Sequence, residues 1–325
     1  MDLSIIIVNY NTKNDLRKCL QSIFKSFDES TLDYEILVVD NNSTDGSIEM
    51  IKMEFPSINL IKNQENLGFA KANNQAIRIA GGRYILLLNP DTVVMGKSVD
   101  LMVEFMEKNP KIGILTPKLL NAKGEVWLFI EGVPDPFTVF LRFCVPRIFL
   151  SPKIKKFVAK SKLKKFLGTQ IDSYFSTLNL NSPIEIDVAP GACLLVRREI
   201  IKKVGLLDEK FFLYSEDTDW CFRAKKADWR IVYFPKAKII HYGGTSTAGE
   251  HSPLSFCWRA QSAYYYFKKH YNKKTAFEVK LLLFFALIIK MPQFVFHHFL
   301  KNQNKDSNLL KIYWITLKKI TTGKI

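Results

Sequence analysis

Asn89-Pro90-Asp91 stands directly behind an apolar run, Tyr84-Ile85-Leu86-Leu87-Leu88. Far downstream come a dense acidic cluster, Glu216-Asp217-Thr218-Asp219, and a lone His241. A buried strand that ends in a carboxylate presents it at the sheet edge where α/β folds bind ligands. A hard divalent cation bound there takes oxygen ligands and keeps positions open for phosphate oxygens. The second acidic cluster would supply a general base. Together these parts suit chemistry on a nucleoside diphosphate.

Each candidate has a plainer reading beside the chemical one. Asp91 is a metal ligand or the first residue of an Asx turn with Thr92. Asp217 takes the proton of a hydroxyl attacking an anomeric carbon, or it only complements a helix N-terminus. Three acids within four positions exceed what capping requires, which favours the first. A neutral His241 imidazole would complete a site for a Mn²⁺-like ion, although a lone histidine is usually structural. Asp40, at the end of Glu35-Ile36-Leu37-Val38-Val39, accepts hydrogen bonds from a nucleobase or ribose, or caps the turn Asn41–Gly46; the residues favour neither. Asn66-Leu67-Gly68 precedes a helix whose N-terminus would suit phosphate, but a single glycine is weak evidence. There is no G-x-G-x-x-G and no P-loop. No Ser/His/Asp or Cys/His arrangement is evident, so no protein nucleophile is called for.

The elements that must position these groups follow from periodicity. Leu3–Val8 and Glu35–Val39 read as strands buried on both faces. Between them Leu16, Leu20, Ile23 and Phe27 recur at helical spacing, with Thr12 as cap and Asp15 three residues on. A helix follows the Asn41–Gly46 turn to about Phe55, Asn59–Ile61 is a short strand, and Phe69–Ala80 is a helix ended by Gly81-Gly82. Strand–helix alternation of this kind gives an α/β domain with a mainly parallel sheet. Beyond an irregular stretch, Gly124–Pro183, the pattern resumes. It gives a strand over Asp187–Val196, helices over Arg198–Val204 and about Asp217–Ala227, and strands over Trp229–Phe234 and Lys238–Ile240.

The chain has 325 residues, enough for one large or two modest domains, and a net charge of +16. Nine Lys/Arg and no acid lie between Arg142 and Lys165; thirteen Lys/Arg and two acids lie between Cys257 and Ile325. These segments carry +9 and +11, which leaves the remainder at about −4. Such appendages are drawn to anionic surfaces. Leu281–Ile289 is apolar between Lys280 and Lys290 but far short of the ~20 residues that span a bilayer. Its alternatives are a helix lying in the membrane interface and a core-packing helix hairpin. Five scattered cysteines, Cys19, Cys144, Cys193, Cys221 and Cys257, without C-x-x-C, read as buried reduced thiols. No secretory signal is visible, so a cytoplasmic setting is expected.

In order along the chain, several motifs resemble those of family-2 glycosyltransferases of the GT-A fold, in particular the rhamnosyltransferase-like branch. They are Ser4–Asn11, Val39–Gly46, Asn66–Ala70, Leu88–Thr92, Pro190–Cys193, Phe212–Cys221 with Arg223, and His241. The likeness covers roughly residues 1–247.

It implies a Rossmann-like mixed, mainly parallel sheet flanked by helices over residues 1–250. An insertion is expected at about 124–185, and a basic, membrane-associating helical extension over 251–325. It implies that Asn9, Tyr10, Asp40, Asn66, Gly68, Asn89 and Asp91 line the nucleotide donor, with Asp40 on the base. Asp91 and His241 would hold Mn²⁺ or Mg²⁺, Asp217 would be the base, and Glu216 would contact the acceptor. Asn89 departs from the pattern: it stands where the family's D-x-D motif has its first Asp and is a weaker, neutral ligand.

The implied reaction is a single displacement with inversion. It moves a sugar from a dTDP- or UDP-linked donor to a glycan or polyprenyl-linked acceptor for the cell surface, by a protein peripheral on the inner face of the cell membrane. Two other classes compete. A sugar-phosphate nucleotidyltransferase would carry a Gly-rich basic loop where this chain has Asn9-Tyr10-Asn11-Thr12. A non-catalytic nucleic-acid-binding protein would use the aromatic-basic stretch Tyr264–Tyr271 for stacking, but no nucleic-acid motif accompanies it, so no nucleic-acid partner is expected.

Overall fold

The structure, a computed structural model, describes residues 1–126, 133–136, 139, 143, 181–243, 252–300 and 309–323. Most of the expected insertion lies outside these residues, as do Cys144, residues 244–246 and, apart from Phe143, the basic stretch 142–165. The chain divides into two compact units.

The first unit is built on one nine-stranded mixed sheet. Its strands are β1 (Leu3–Asn9), β2 (Tyr34–Asp40), β3 (Asn59–Lys62), β4 (Tyr84–Leu88), β5 (Thr92–Val94), β6 (Ile112–Leu120), β7 (Ile184–Glu185), β8 (Cys193–Arg197) and β9 (Arg230–His241). The order is β3-β2-β1-β4-β8-β6-β9-β5, with β7 beside β9. The run β3-β2-β1-β4 is parallel, so Asn9, Asp40 and the residues after Leu88 emerge at one edge. Six helices cover the sheet: α1 (Lys13–Phe27), α2 (Ser47–Glu54), α3 (Phe69–Ile79), α4 (Ser98–Glu107), α5 (Arg198–Val204) and α6 (Glu216–Lys226).

Strand alternation decides which helix sees which side chain. Ile5 and Ile7 point to a core shared with α1, α2 and α4. Ile6, Leu37 and Val39 point to one shared with α3, α5 and α6. Both faces are apolar, which is why β1, β2 and β4 read as continuous hydrophobic runs. Each fully buried Ile or Leu contributes about 1.5–3 kcal/mol.

Three local expectations are corrected. Thr12 does not cap α1; its hydroxyl donates to Asn9 Oδ1 at 2.6 Å, and Asp45 Oδ2 accepts from Lys13 N–H at 2.7 Å instead. A carboxylate from a distant loop outcompetes the local hydroxyl because it carries charge at the positive helix end. The strand expected from Asp187 begins only at Cys193, since Pro190-Gly191 turns the chain first. Trp229–Phe234 and Lys238–Ile240 form one strand, β9, whose register slips where Phe234 pairs with Pro117 and Lys238 with Lys118. Pro235, which has no N–H for the ladder, lies in the slip.

The second unit includes Leu213–Ser215 and three helices, α7 (Pro253–His270), α8 (Lys273–Leu300) and α9 (Leu309–Thr322), packed on one another. Ser252 caps α7, its side chain accepting from Ser255 N–H. One face of α8 buries Val279, Leu283, Ala286 and Leu287, while Phe277, Leu281, Phe285, Ile288 and Ile289 are exposed. Among the described residues no helix is long and apolar enough to cross a membrane.

Candidate active site

At the carboxyl ends of β1 and β2 a buried polar network sets the loops. Asp40 is fully buried, and its carboxylate accepts from Asn9 Nδ2 at 2.7 Å and from Ser43 N–H at 2.8 Å. Asp40 therefore closes the Asn41–Gly46 turn and ties it to β1. Asn41 Nδ2 donates to Gly68 O and Asn66 Oδ1, and Asn63 Nδ2 donates to Asn41 Oδ1. Asn66 Oδ1 also accepts from Gly68 N–H at 3.0 Å. Tyr10, one residue past β1, is partly exposed.

The N-terminus of α3 is engaged by protein. Phe69 N–H donates to Phe212 O at 2.7 Å. Gly68 has φ +80°, and a Cβ there would lie 2.4 Å from that same carbonyl. Glycine at this position permits the close approach to Phe212.

The structure brings Asp91 and His241 together across 150 residues of sequence. Thr92 pairs with His241 in the β5–β9 ladder, and Tyr242 N–H donates to Asp91 O at 2.9 Å. This places His241 Nε2 3.2 Å from Asp91 Oδ1, both side chains being largely buried. Two adjacent ligands of an octahedral Mg²⁺ or Mn²⁺ ion at ~2.1 Å would be about 3 Å apart, so the pair fits such an ion. Among the described residues no third His, Cys, Asp or Glu joins them. Such a site leaves coordination positions for water or phosphate oxygens. Asn89 lies beside it, its N–H donating to Ala192 O at 3.0 Å and its carbonyl accepting from Thr92 Oγ1 at 2.7 Å.

Within the acidic cluster, burial sets Asp217, the expected base, apart from its two acidic neighbours. Asp219 is fully buried and pairs with Arg223 Nε at 2.8 Å. Arg223 also donates to the carbonyls of Val204 and Leu206, and Trp220 Nε1 donates to Gly205 O at 2.9 Å. These three side chains clasp α6 to the end of α5. Asp217 alone is partly exposed. Its Oδ2 accepts from Gly191 N–H at 2.8 Å and its Oδ1 from Thr218 N–H at 2.7 Å. A Cβ on Gly191 would stand 3.2 Å from Asp217 Oδ2.

Glu216 is buried, and its Oε2 has no hydrogen-bond partner among the described residues. Burial, and secondarily the Asp217 charge, push its carboxyl well above the usual range near 4.5. Its folded value thus exceeds its unfolded one. The stability this gives is complete below the unfolded value and is lost as pH rises through the folded one. Glu216→Gln should therefore match the parent in thermal melts at pH 4 and be the more stable at pH 8. Parallel curves across that range would sink this reading.

The loop Pro190–Ala192, assigned no chemistry from the sequence, joins the two halves of the site. Ala192 O holds Asn89, and the preceding Gly191 N–H holds Asp217. Its one local signal is a Pro-Gly turn ahead of a buried strand. Four cysteines, Cys19, Cys193, Cys221 and Cys257, are buried free thiols. Burial pushes Cys19, Cys221 and Cys257 up to about 12, so none supplies a thiolate.

The mixed α/β sheet flanked by helices has the architecture of GT-A glycosyltransferases. The family model for glycosyl transferase family 2 matches residues 4–130. An uncharacterized glycosyltransferase of Methanocaldococcus jannaschii is 31% identical over 236 residues, covering 71% of this chain and 68% of that protein. The N-acetylglucosaminyl-diphospho-decaprenol L-rhamnosyltransferase of Mycobacterium tuberculosis is 26% identical over 262 residues, covering 75% and 77%. Among solved structures, a mannosyltransferase of Pyrobaculum calidifontis in complex with GDP-Man and Mn²⁺ superposes with a TM-score of 0.56. It is 15% identical, with 99% of this chain and 88% of that one covered, and so bears on fold alone. The chain belongs to glycosyltransferase family 2.

Proposed function

We propose that this glycosyltransferase moves a sugar, rhamnose from dTDP-rhamnose or a hexose from a UDP-sugar, to a hydroxyl of a glycan or polyprenyl-linked acceptor in cell-surface polysaccharide synthesis. The observation that carries the proposal is the Gly191–Ala192 backbone, which fixes Asp217 and the Asn89–Asp91 turn from consecutive residues. A base and a diphosphate site must be held at a fixed separation for in-line displacement.

In this mechanism the acceptor oxygen bonds to the anomeric carbon as the bond from that carbon to the diphosphate oxygen breaks. Asp217 takes the acceptor proton, and inversion follows from the single displacement. The N–H groups of Gly191 and Thr218 aim the carboxylate and remove its rotational freedom. Asp91 and His241 would hold Mn²⁺ or Mg²⁺, with Asn89 beside them as a neutral oxygen donor. That ion, when bound, supplies positive charge against the departing diphosphate. Asn9, Tyr10, Asp40, Asn66 and Gly68 shape the nucleoside end, and Glu216 flanks the base on the acceptor side.

We place the protein in the cytoplasm, peripheral on the inner face of the cell membrane. The exposed apolar side chains of α8, with Lys273 and Lys274 at its start, support this. So do exposed Trp314 and Ile315 beside Lys311 and Lys318 on α9.

The test is a panel of UDP-, dTDP- and GDP-sugars with Mn²⁺, read as free nucleoside diphosphate. It is run without acceptor and with N-acetylglucosaminyl-diphospho-decaprenol in detergent, and one productive donor is expected. Silence across the panel with acceptor present would reject this reading. Cosedimentation with phosphatidylglycerol vesicles at physiological salt tests the placement, which fails if the protein stays in the supernatant.

A further inference from the structure

The turn that carries Asp91 is bordered by two further elements of the first unit. Through β8 and β6, β9 runs parallel to β1, β2 and β4, so it ends at the edge where Asn9 and Asp40 emerge. Tyr242 follows that end directly, and its N–H donates to Asp91 O at 2.9 Å. The helix α1, which starts just past β1, borders the same turn. Its Cys19 Sγ lies 3.7 Å from Asn89 O and 3.5 Å from Thr92 Oγ1. The residue before it, Lys18, is exposed, and its Nζ lies 5.8 Å from the centroid of the Tyr242 ring. Tyr242 is itself 42% exposed. Among the described residues neither the Lys18 ammonium nor the Tyr242 hydroxyl has a hydrogen-bond or ion-pair partner. Both residues belong to the first unit, as do Asp91 and His241.

An exposed lysine alone says little, and an exposed tyrosine no more. Here the two stand together beside a buried carboxylate–imidazole pair. The ammonium brings a positive charge and three N–H donors on a flexible stem, and the phenol brings one O–H donor on a rigid ring. Contact with the ring restricts where the ammonium can go, at a modest gain. Such donors suit a phosphate oxyanion. We propose that Lys18 and Tyr242 form a phosphate-binding pair for the transfer reaction, holding a diphosphate oxygen beside Asp91 and His241. That diphosphate belongs to the nucleotide of the donor or to the polyprenyl diphosphate of the acceptor. The proposal rests on the reading of Asp91 and His241 as the metal site. Charge on a departing diphosphate grows as its bond to the anomeric carbon breaks. A cation beside the donor diphosphate therefore stabilises the transition state more than the bound substrate.

The experiment uses the full chain and compares Lys18→Gln, Lys18→Arg, Tyr242→Phe and Asp91→Ala with the parent. Isothermal titration with UDP and with dTDP, each in the presence of Mn²⁺, reads binding without turnover. Lys18→Gln should weaken the diphosphate roughly 10-fold, as expected for a lost charged hydrogen bond. That difference should shrink as salt is raised, because the contact is exposed. Lys18→Arg keeps the charge and should stay near the parent. Tyr242→Phe keeps the ring and removes the O–H, and should weaken binding by about 3- to 5-fold. Thermal melts of Lys18→Gln and Tyr242→Phe should match the parent, since both side chains are exposed. The KM for N-acetylglucosaminyl-diphospho-decaprenol is measured beside these.

Weaker nucleotide binding in Lys18→Gln with the acceptor KM unchanged assigns the pair to the donor. Unchanged nucleotide binding with the acceptor KM raised to a similar degree assigns it to the acceptor diphosphate. Parent values for both in Lys18→Gln would overturn the proposal. So would a loss that Lys18→Arg shares in full and that salt does not alter, since the side chain would then act through packing. If Asp91→Ala binds UDP and dTDP with Mn²⁺ as the parent does, the reading of the metal site fails instead. Titration with inorganic diphosphate in the absence of metal then decides, and equal affinity in the parent and Lys18→Gln would overturn the phosphate-binding pair on its own.

Discussion

Asp217→Asn should leave donor binding intact and reduce transfer to acceptor by about 10²–10⁴-fold, the range that a positioned general base contributes. Asparagine keeps the shape of the side chain and one oxygen that can accept from Gly191 N–H or Thr218 N–H, so the local fold is retained. It cannot take a proton. The change therefore removes chemistry without removing the loop contact, and the loss should appear in kcat with donor KM unchanged. Its neighbour Asp219 serves as a control. Asp219→Asn should act on stability, because it removes the fully buried carboxylate that pairs with partly buried Arg223. Glu216→Gln should change the pH dependence of stability. A transfer rate for Asp217→Asn within tenfold of the parent would assign the base elsewhere. Gly191→Ala should reproduce part of the loss, since its Cβ would crowd the same oxygen.

Asp91→Ala should abolish metal-dependent release of nucleoside diphosphate, a loss of about 10³-fold or more if the ion supplies several kcal/mol to the leaving group. Addition of a chelator to the parent should do the same, with Mn²⁺ or Mg²⁺ restoring the parent only. His241→Ala should weaken the apparent affinity for Mn²⁺ and be rescued in part by raised metal concentration, because the Asp91 oxygens and the donor phosphates remain. Titration of Mn²⁺ against initial rate checks both. Equal behaviour of His241→Ala and the parent across that titration would reduce the 3.2 Å pair to a structural contact. Asn89→Asp, which adds the carboxylate that the family motif has, should tighten Mn²⁺ binding if the neutral amide is what limits it.

Much of this site is legible in the residue pattern, because its parts sit where regular elements end. The strands β1, β2 and β4 announce themselves as apolar runs, since both faces of a parallel strand are buried. A polar residue that ends such a run falls at the sheet edge, so Asn9, Asp40 and Asn89–Asp91 were locatable without coordinates. The acidic cluster was equally visible as a helix start. Local chemistry misled where two partners competed for one group. Thr12 gave way to Asp45 at the α1 N-terminus.

Burial and long-range register decided the rest. The sequence named Asp217 as the base among the three acids; only the tertiary structure buries Glu216 and Asp219 and leaves Asp217 partly exposed on the Gly191 N–H. His241 was a candidate from the sequence, but only the β5–β9 ladder, which sets Thr92 opposite it, brings its imidazole to Asp91. The left-handed turn at Tyr214–Ser215 carries no residue that favours it, so no local signal could foretell it. Most elements, the fold class and the candidate acids were readable in the chain, because these follow from periodicity and from residue chemistry within a few positions. Tertiary structure alone decided which acid reaches solvent and what holds it, because those depend on contacts between residues far apart in the chain, which local propensity does not encode.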